Sequence, residues 1–156
     1  MQFERLFIAL DACVNDGLDA KIFAQTGYTK YKPKNYPYKQ FISEKEFIKR
    51  IKWADVIVCH AGAGNIISGL TQKKPLVIVP RKKELKEHTD DHQIELAKIL
   101  SKEKKCITVF DEKKIGQAIK YALIMKTSIK KEKNELEKQI NLFIIKLEKK
   151  KECKKI

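Results

Sequence analysis

The spacing of apolar residues changes several times along the chain, and each change predicts a new element. Phe3, Leu6, Phe7, Leu10 and Val14 recur at helical spacing, which predicts an amphipathic helix over residues 3–15. The short run KIFAQT (21–26) predicts a strand closed by Gly27. A loop dense in Tyr, Lys and Pro follows (28–39), then QFI (40–42) as a short strand. Ser43 stands where it can cap the helix EKEFIKRIKWA. DVIVC (55–59) and LVIV (76–79) are continuous apolar runs, the pattern of strands covered on both faces. Between them a short helix is expected from about Asn65 to Gln72, ending before Pro75. Thr89 or Asp90 caps a helix running to about Ser101, KCITVF (105–110) is a further strand, and residues 112–126 a further helix.

Strands that are short, β-branched and non-alternating, with helices between them, argue for an α/β protein built on a doubly wound parallel sheet. No internal repeat interrupts the order. The last stretch, 126–156, differs in kind. It holds eleven Lys and five Glu, with Leu136, Ile140, Phe143, Ile144 and Leu147 on one helical face. The division expected is a globular domain over 1–125 and a basic amphipathic helix over 126–156. That helix either packs its stripe on the domain's own sheet or presents it to a partner or membrane surface.

Composition changes the picture in two respects. The net charge of +14 is carried almost wholly by lysine, since Arg5, Arg50 and Arg81 are the only arginines. Lysine is a hydrated point charge without the forked, stacking guanidinium favoured in nucleic-acid recognition. The Tyr/Lys loop at 28–39 leaves base stacking open as a reading, but no known nucleic-acid-binding motif is present, and no specific nucleic-acid partner is expected. The cysteines, Cys13, Cys59, Cys106 and Cys153, form no CxxC and read as reduced thiols of a cytosolic protein. Neither a signal peptide nor a membrane-length apolar run is evident.

Candidate chemistry gathers at VCHAGAGNIISGL (58–70). In open α/β sheets ligands bind beyond the carboxyl ends of the strands. Here a strand ends in His60, Ala61, Gly62, Ala63 and Gly64, with Asn65 opening a helix whose unsatisfied N–H groups suit a phosphate. Gly62 and Gly64 keep the turn free of side chains, and Arg81, after the next strand, adds a charge-assisted contact. A purely structural tight turn accounts for the same glycines. The dinucleotide fingerprint fails at Ile67 and no P-loop lysine follows. His88 and His92, four apart among acids, are conceivable metal ligands, but no HExxH motif is present and no metal is expected. Asp91, His92 and Gln93 fit better as donors and acceptors for sugar hydroxyls.

ADVIVCHAGAGNIISGL, KKPLVIVPR and EHTDDHQIELAK together resemble the C-terminal, nucleotide-binding half of family 28 glycosyltransferases, over about residues 2–125. The small, split-enzyme branch is the nearest in pattern. It includes the catalytic subunit of the eukaryotic dolichol-linked N-acetylglucosaminyltransferase and bacterial exopolysaccharide glycosyltransferase subunits. The resemblance implies a Rossmann-like domain, equivalent to one half of a GT-B glycosyltransferase. It implies a UDP-sugar donor with its diphosphate lined by Gly62, Ala63, Gly64 and Asn65, and the donor sugar held by Asp91, His92 and Gln93. The UDP-sugar is a substrate, and no cofactor is expected. A membrane-anchored partner subunit, a polyprenyl-linked acceptor, and a place on the cytoplasmic face of a membrane are implied as well. His60 is a candidate acid/base. Ser68 stands where many relatives carry a ribose-binding Glu. Relatives also begin with a strand and a Gly-Thr turn ahead of the helix that opens this sequence. The expectation is therefore a sheet lacking its first strand and one wall of the site. Two functions follow: a hexosyltransferase subunit, or a non-catalytic subunit that binds nucleotide or scaffolds its partner.

Overall fold

A computed structural model describes residues 2–102 and 106–125. The basic helix expected at 126–156 lies outside the described residues. Five helices and five strands follow one another in the order α1 (Glu4–Asn15), β1 (Ala24–Gln25), β2 (Tyr38–Lys39), α2 (Glu44–Trp53), β3 (Ile57–Cys59), α3 (Ala63–Thr71), β4 (Leu76–Ile78), α4 (His92–Lys102), β5 (Ile107–Thr108) and α5 (Ile115–Met125). A single 3-10 turn, Glu112–Lys114, leads into α5.

Every strand pair is parallel, but the strands form two fragments: β1–β2, and β3–β4–β5. Side chains alternate across β4. Val77 joins a core with Leu6, Phe7 and Leu10 of α1 and Ile115 and Ile119 of α5. Leu76 and Ile78 join a second core with Ile66 of α3 and Leu96 and Leu100 of α4. Both faces of the strand are thus covered, which is why LVIV carries no polar alternation. All four of its residues are at most 2% exposed.

Local signals explain most boundaries. Ser43 Oγ accepts the Glu46 N–H and starts α2. The carboxylate of Asp90 accepts the His92 N–H at the start of α4. The helix after the glycine turn begins at Ala63 rather than Asn65, with Gly62 as an extended N-cap residue. β2 lies at 38–39 rather than 40–42, because its register is fixed by β1: the Ala24 N–H donates to Pro37 O and the Thr26 N–H to Lys39 O. The Tyr/Lys loop is pinned inward. Asp11 accepts bonds from Tyr31 Oη and from the N–H groups of Lys34 and Asn35. Burial raises the Asp11 pKa, but these bonds outweigh it and hold the carboxyl below its ordinary range. Tyr36 is buried with its hydroxyl on Phe7 O. Two of the loop's tyrosines therefore serve packing and are not free to stack on bases. No helix among the described residues is long and apolar enough to cross a membrane.

Candidate nucleotide site at the carboxyl ends of the strands

A cavity of about 690 Å³ opens between the two sheet fragments. At the carboxyl ends of the strands it is lined by Phe3, Thr26, Gly27, His60, Asn65 and Arg81. Three of these come from the predicted set and three do not. Phe3, Thr26 and Gly27 arrive from α1 and β1, remote in sequence from the glycine turn, and carry no local motif.

His60 is fixed by its neighbours. Asn65 Nδ2 lies 3.2 Å from its Nε2. With the amide donating, Nε2 accepts, and the network assigns the ring proton to Nδ1. Burial lowers the pKa to about 4; Arg81's charge adds to the effect, Gln93's nearby amide offsets part of it, and His88 lowers it slightly further. The ring is neutral at pH 7. Its Nδ1 and the Nε of Arg81 are buried side-chain atoms with no partner among the described residues. His60 and Arg81 both line the cavity, but these two nitrogens themselves are buried, His60 Nδ1 against Gly62. Arg81 also lies over the Phe3 ring, 5.3 Å from its centre.

The start of α3 supplies more of the same chemistry. Gly62 makes no side-chain capping bond, so the first-turn N–H groups have no side-chain partner. A Cβ on Gly62 would collide with the His60 imidazole, so this glycine makes room for its own neighbour. Gly64 differs: it is exposed, and nothing lies within 4 Å of where its Cβ would stand. Ser68 sits one turn further along α3 and does not line the cavity.

The loop after β4 closes the other side. Gln93 is buried, and its Oε1 accepts the Arg81 N–H. Asp91 is exposed and accepts the Lys83 N–H. His92 turns toward Glu95, 3.4 Å away, and Asp90, 3.8 Å away. Of the trio expected to hold the sugar, Gln93 is tied to Arg81, Asp91 and His92 make their contacts within their own segment, and none of the three lines the cavity. The loop itself is held by Arg5, which was not predicted. Its guanidinium bonds both carboxylate oxygens of Glu87, at 2.8 and 3.0 Å, the Pro80 carbonyl at 2.6 Å and Glu112 at 3.0 Å.

The sequence model of the glycosyltransferase family 28 C-terminal domain matches residues 3–154. The chain belongs to this family. Among curated relatives, the UDP-N-acetylglucosamine transferase subunit ALG13 of Homo sapiens is 41% identical over 68 residues, and that of Mus musculus 40%. Each match covers 44% of this chain, and the chain spans only about 5% of the relatives' length. Among solved structures, the glycotransferase of kitacinnamycin superposes with a TM-score of 0.57 at 17% identity, covering 88% of this family 28 chain and 35% of the other. That likeness concerns the fold, which is the α/β, parallel-sheet architecture of a GT-B half.

Proposed function

We propose that this chain is the donor-binding subunit of a glycosyltransferase that moves a hexose from a UDP-sugar to a polyprenyl-linked acceptor in surface polysaccharide or glycan synthesis. A membrane-anchored partner subunit would supply the acceptor and hold the pair on the cytoplasmic face of a membrane. The observation that carries the reading is a cavity at the carboxyl ends of a parallel sheet lined by His60, Asn65 and Arg81, beside the start of α3. The uncapped first turn of α3, at Ala63, Gly64 and Asn65, adds N–H groups and the positive end of a helix dipole. Family membership and the UDP-N-acetylglucosamine transferase relatives support a UDP-sugar as the ligand.

The chemistry such a site performs is electrostatic. When the bond between the sugar's anomeric carbon and the β-phosphate oxygen breaks, negative charge grows on the departing UDP. Donors already in place at that oxygen stabilise the transition state more than the bound ground state. Arg81 brings a full charge, and α3 brings backbone N–H groups. A neutral ring with its pKa near 4 has no proton to give as an imidazolium at pH 7, so in this reading His60 orients and holds rather than shuttles. Gln93 positions Arg81 through its backbone N–H, and Asp91 and His92, in the same segment, are left for the sugar hydroxyls. Ser68, one turn further along α3, lies outside the cavity and has no part in this reading.

Calorimetric titration with UDP tests this. The chain should bind UDP saturably and Gly64→Arg should not, because the arginine would fill the open space at the first turn of α3. Equal affinity in the two would remove the site assignment. A second reading, a nucleotide-binding or scaffolding subunit without turnover, draws support from the break between β1–β2 and β3–β4–β5 beside the site. Sugar transfer by the complex with its partner subunit would exclude it.

A further inference from the structure

Burial alternates residue by residue in the segment after β1. Thr29 and Pro33 are buried and Tyr31 is half-buried, while Tyr28, Lys30, Lys32 and Lys34 between them are exposed. The inward side is bonded to α1. Thr29 Oγ1 accepts the Phe3 N–H, and Tyr31 Oη donates to the Asp11 carboxylate. The backbone N–H groups of Lys34 and Asn35 donate to the same carboxylate, and Asn35 Nδ2 donates to Asp11 O. Phe3 and Asp11 stand eight residues apart, so the segment follows α1 for about 12 Å. A loop that only separates two strands needs no buried carboxylate to fix it. Here the fixing holds one row of side chains outward.

The row begins at the cavity. The Thr26 N–H donates to Lys39 O and the Gly27 N–H to Gln40 O, so the pairing of β1 with β2 runs on to Gly27, which lines the cavity mouth. The Thr29 N–H then donates to Thr26 O, closing a tight turn in which Gly27 has a φ of 58°. A side chain at that φ would be strained. Tyr28 stands next, at the tip of the turn. It is 69% exposed, with its ring edge-on to Phe41 and the two centres 5.1 Å apart.

Charge decides what the row can meet. From Lys21 to Ser43 the chain carries five lysines and no carboxylate. The ammonium groups of Lys30, Lys32 and Lys34 pair with no carboxylate among the described residues. Of the bordering acids, Asp16, Asp19 and Glu44 are exposed, Glu46 is paired with Lys39 and Arg50, and Asp11 is buried beneath the row. Unpaired lysines on a fixed mount are drawn to an anionic surface, and a tyrosine beside them suits the boundary between lipid headgroups and water. Nucleic acid fits less well. Single-strand binding draws on open ring faces and arginine, whereas Tyr31 and Tyr36 turn inward and Tyr28 rests on Phe41.

We propose that Tyr28, Lys30, Lys32 and Lys34 form a docking ledge for an anionic lipid bilayer, on which this chain settles directly and reversibly without a partner subunit. The lysines extend to headgroup phosphates on their flexible stems while the Tyr28 ring enters the interface. Gly27 joins the ledge to the cavity mouth, so docking holds the mouth against the bilayer surface, from which a lipid-linked acceptor projects. Only this last consequence rests on the function proposed above.

Co-sedimentation of the full chain with vesicles tests this, using phosphatidylcholine alone and phosphatidylcholine with about one-third phosphatidylglycerol. The parent chain should bind the anionic vesicles and not the neutral ones. One lysine near such a surface strengthens binding about fivefold, so Lys30→Gln/Lys32→Gln/Lys34→Gln should weaken it about a hundredfold. Tyr28→Ala should weaken it severalfold. Lys45→Gln/Lys49→Gln/Lys52→Gln removes the same charge from exposed positions of α2 and should cost no more than about threefold, since charges beyond a Debye length are screened. Circular dichroism checks that each variant is folded. Equal losses in the two triple variants would overturn the proposal, because net charge alone would then account for binding. So would a parent chain that ignores anionic vesicles, or a ledge variant that loses a single-stranded oligonucleotide while keeping the vesicles. None of these readouts uses UDP, so failure of UDP binding leaves the ledge standing.

Discussion

His60 and Gly62 share one space. The imidazole lies where a Cβ on Gly62 would stand, so the glycine serves the ring, and the ring's Nδ1 is buried beside it. The same burial makes the residue sensitive to acid. Its pKa is lowered from 6.5 to about 4 in the folded state. Between those values the unfolded chain takes up a proton that the folded chain refuses, so stability is fully present above pH 6.5 and falls as the pH drops toward 4. The loss over this window is on the order of 3 kcal/mol for His60. Urea unfolding at pH 7.5 and 4.5 checks it: His60→Gln should lose clearly less stability than the parent chain between the two. An equal loss would show that the ring is not held neutral. Neighbouring thiols follow the same physics. Burial raises Cys59 to about 12 and Cys106 to about 11, so both stay protonated and unreactive at neutral pH.

At the scale of elements, the critical connection joins α1 to the loop after β4. Arg5 and Glu87 are 12% and 8% exposed and lie 82 residues apart in sequence. Glu87 also accepts the Lys82 N–H, so one carboxylate fixes both the loop's own turn and its attachment to α1. Removing the cation would strand a buried charge, which costs about 3–5 kcal/mol. Arg5→Met should therefore destabilise strongly. Arg5→Met with Glu87→Met should recover part of that loss, because the double replacement leaves no unpaired ion behind. A double-mutant cycle by chemical denaturation reads the coupling directly, and strictly additive effects would dismiss the clamp. The same loop carries Arg81 and leads to Gln93, so the single variant should also weaken UDP binding.

Over the whole molecule, +14 charges on 156 residues repel one another. Self-repulsion of this kind works against the compact state and is screened within about 8–10 Å at ordinary ionic strength. The buried Arg5–Glu87 pair is screened far less. Raising sodium chloride from low to moderate concentration should therefore raise the thermal midpoint; a fall would mean that surface ion pairs outweigh the net repulsion.

The sequence by itself determined the local order. Phe3, Leu6, Phe7, Leu10 and Val14 made α1 legible because helical periodicity is a property of near neighbours, and the runs at 55–59 and 76–79 announced strands buried on both faces. Ser43 marked the start of α2, and the glycine turn and Arg81 were read as a site because their spacing is itself local. Register and assembly were decided only by the tertiary structure. β2 moved to 38–39 because its partner, not its composition, sets where it pairs. Arg5 and Glu87 gave no sign of each other, since nothing in either neighbourhood depends on the other until the chain folds. The partnerless nitrogens of His60 and Arg81, and the cleft between β1 and β3, exist only in three dimensions. An unmet hydrogen bond or a cavity is defined by what packing brings near it, and that information is not held by any one stretch of the chain.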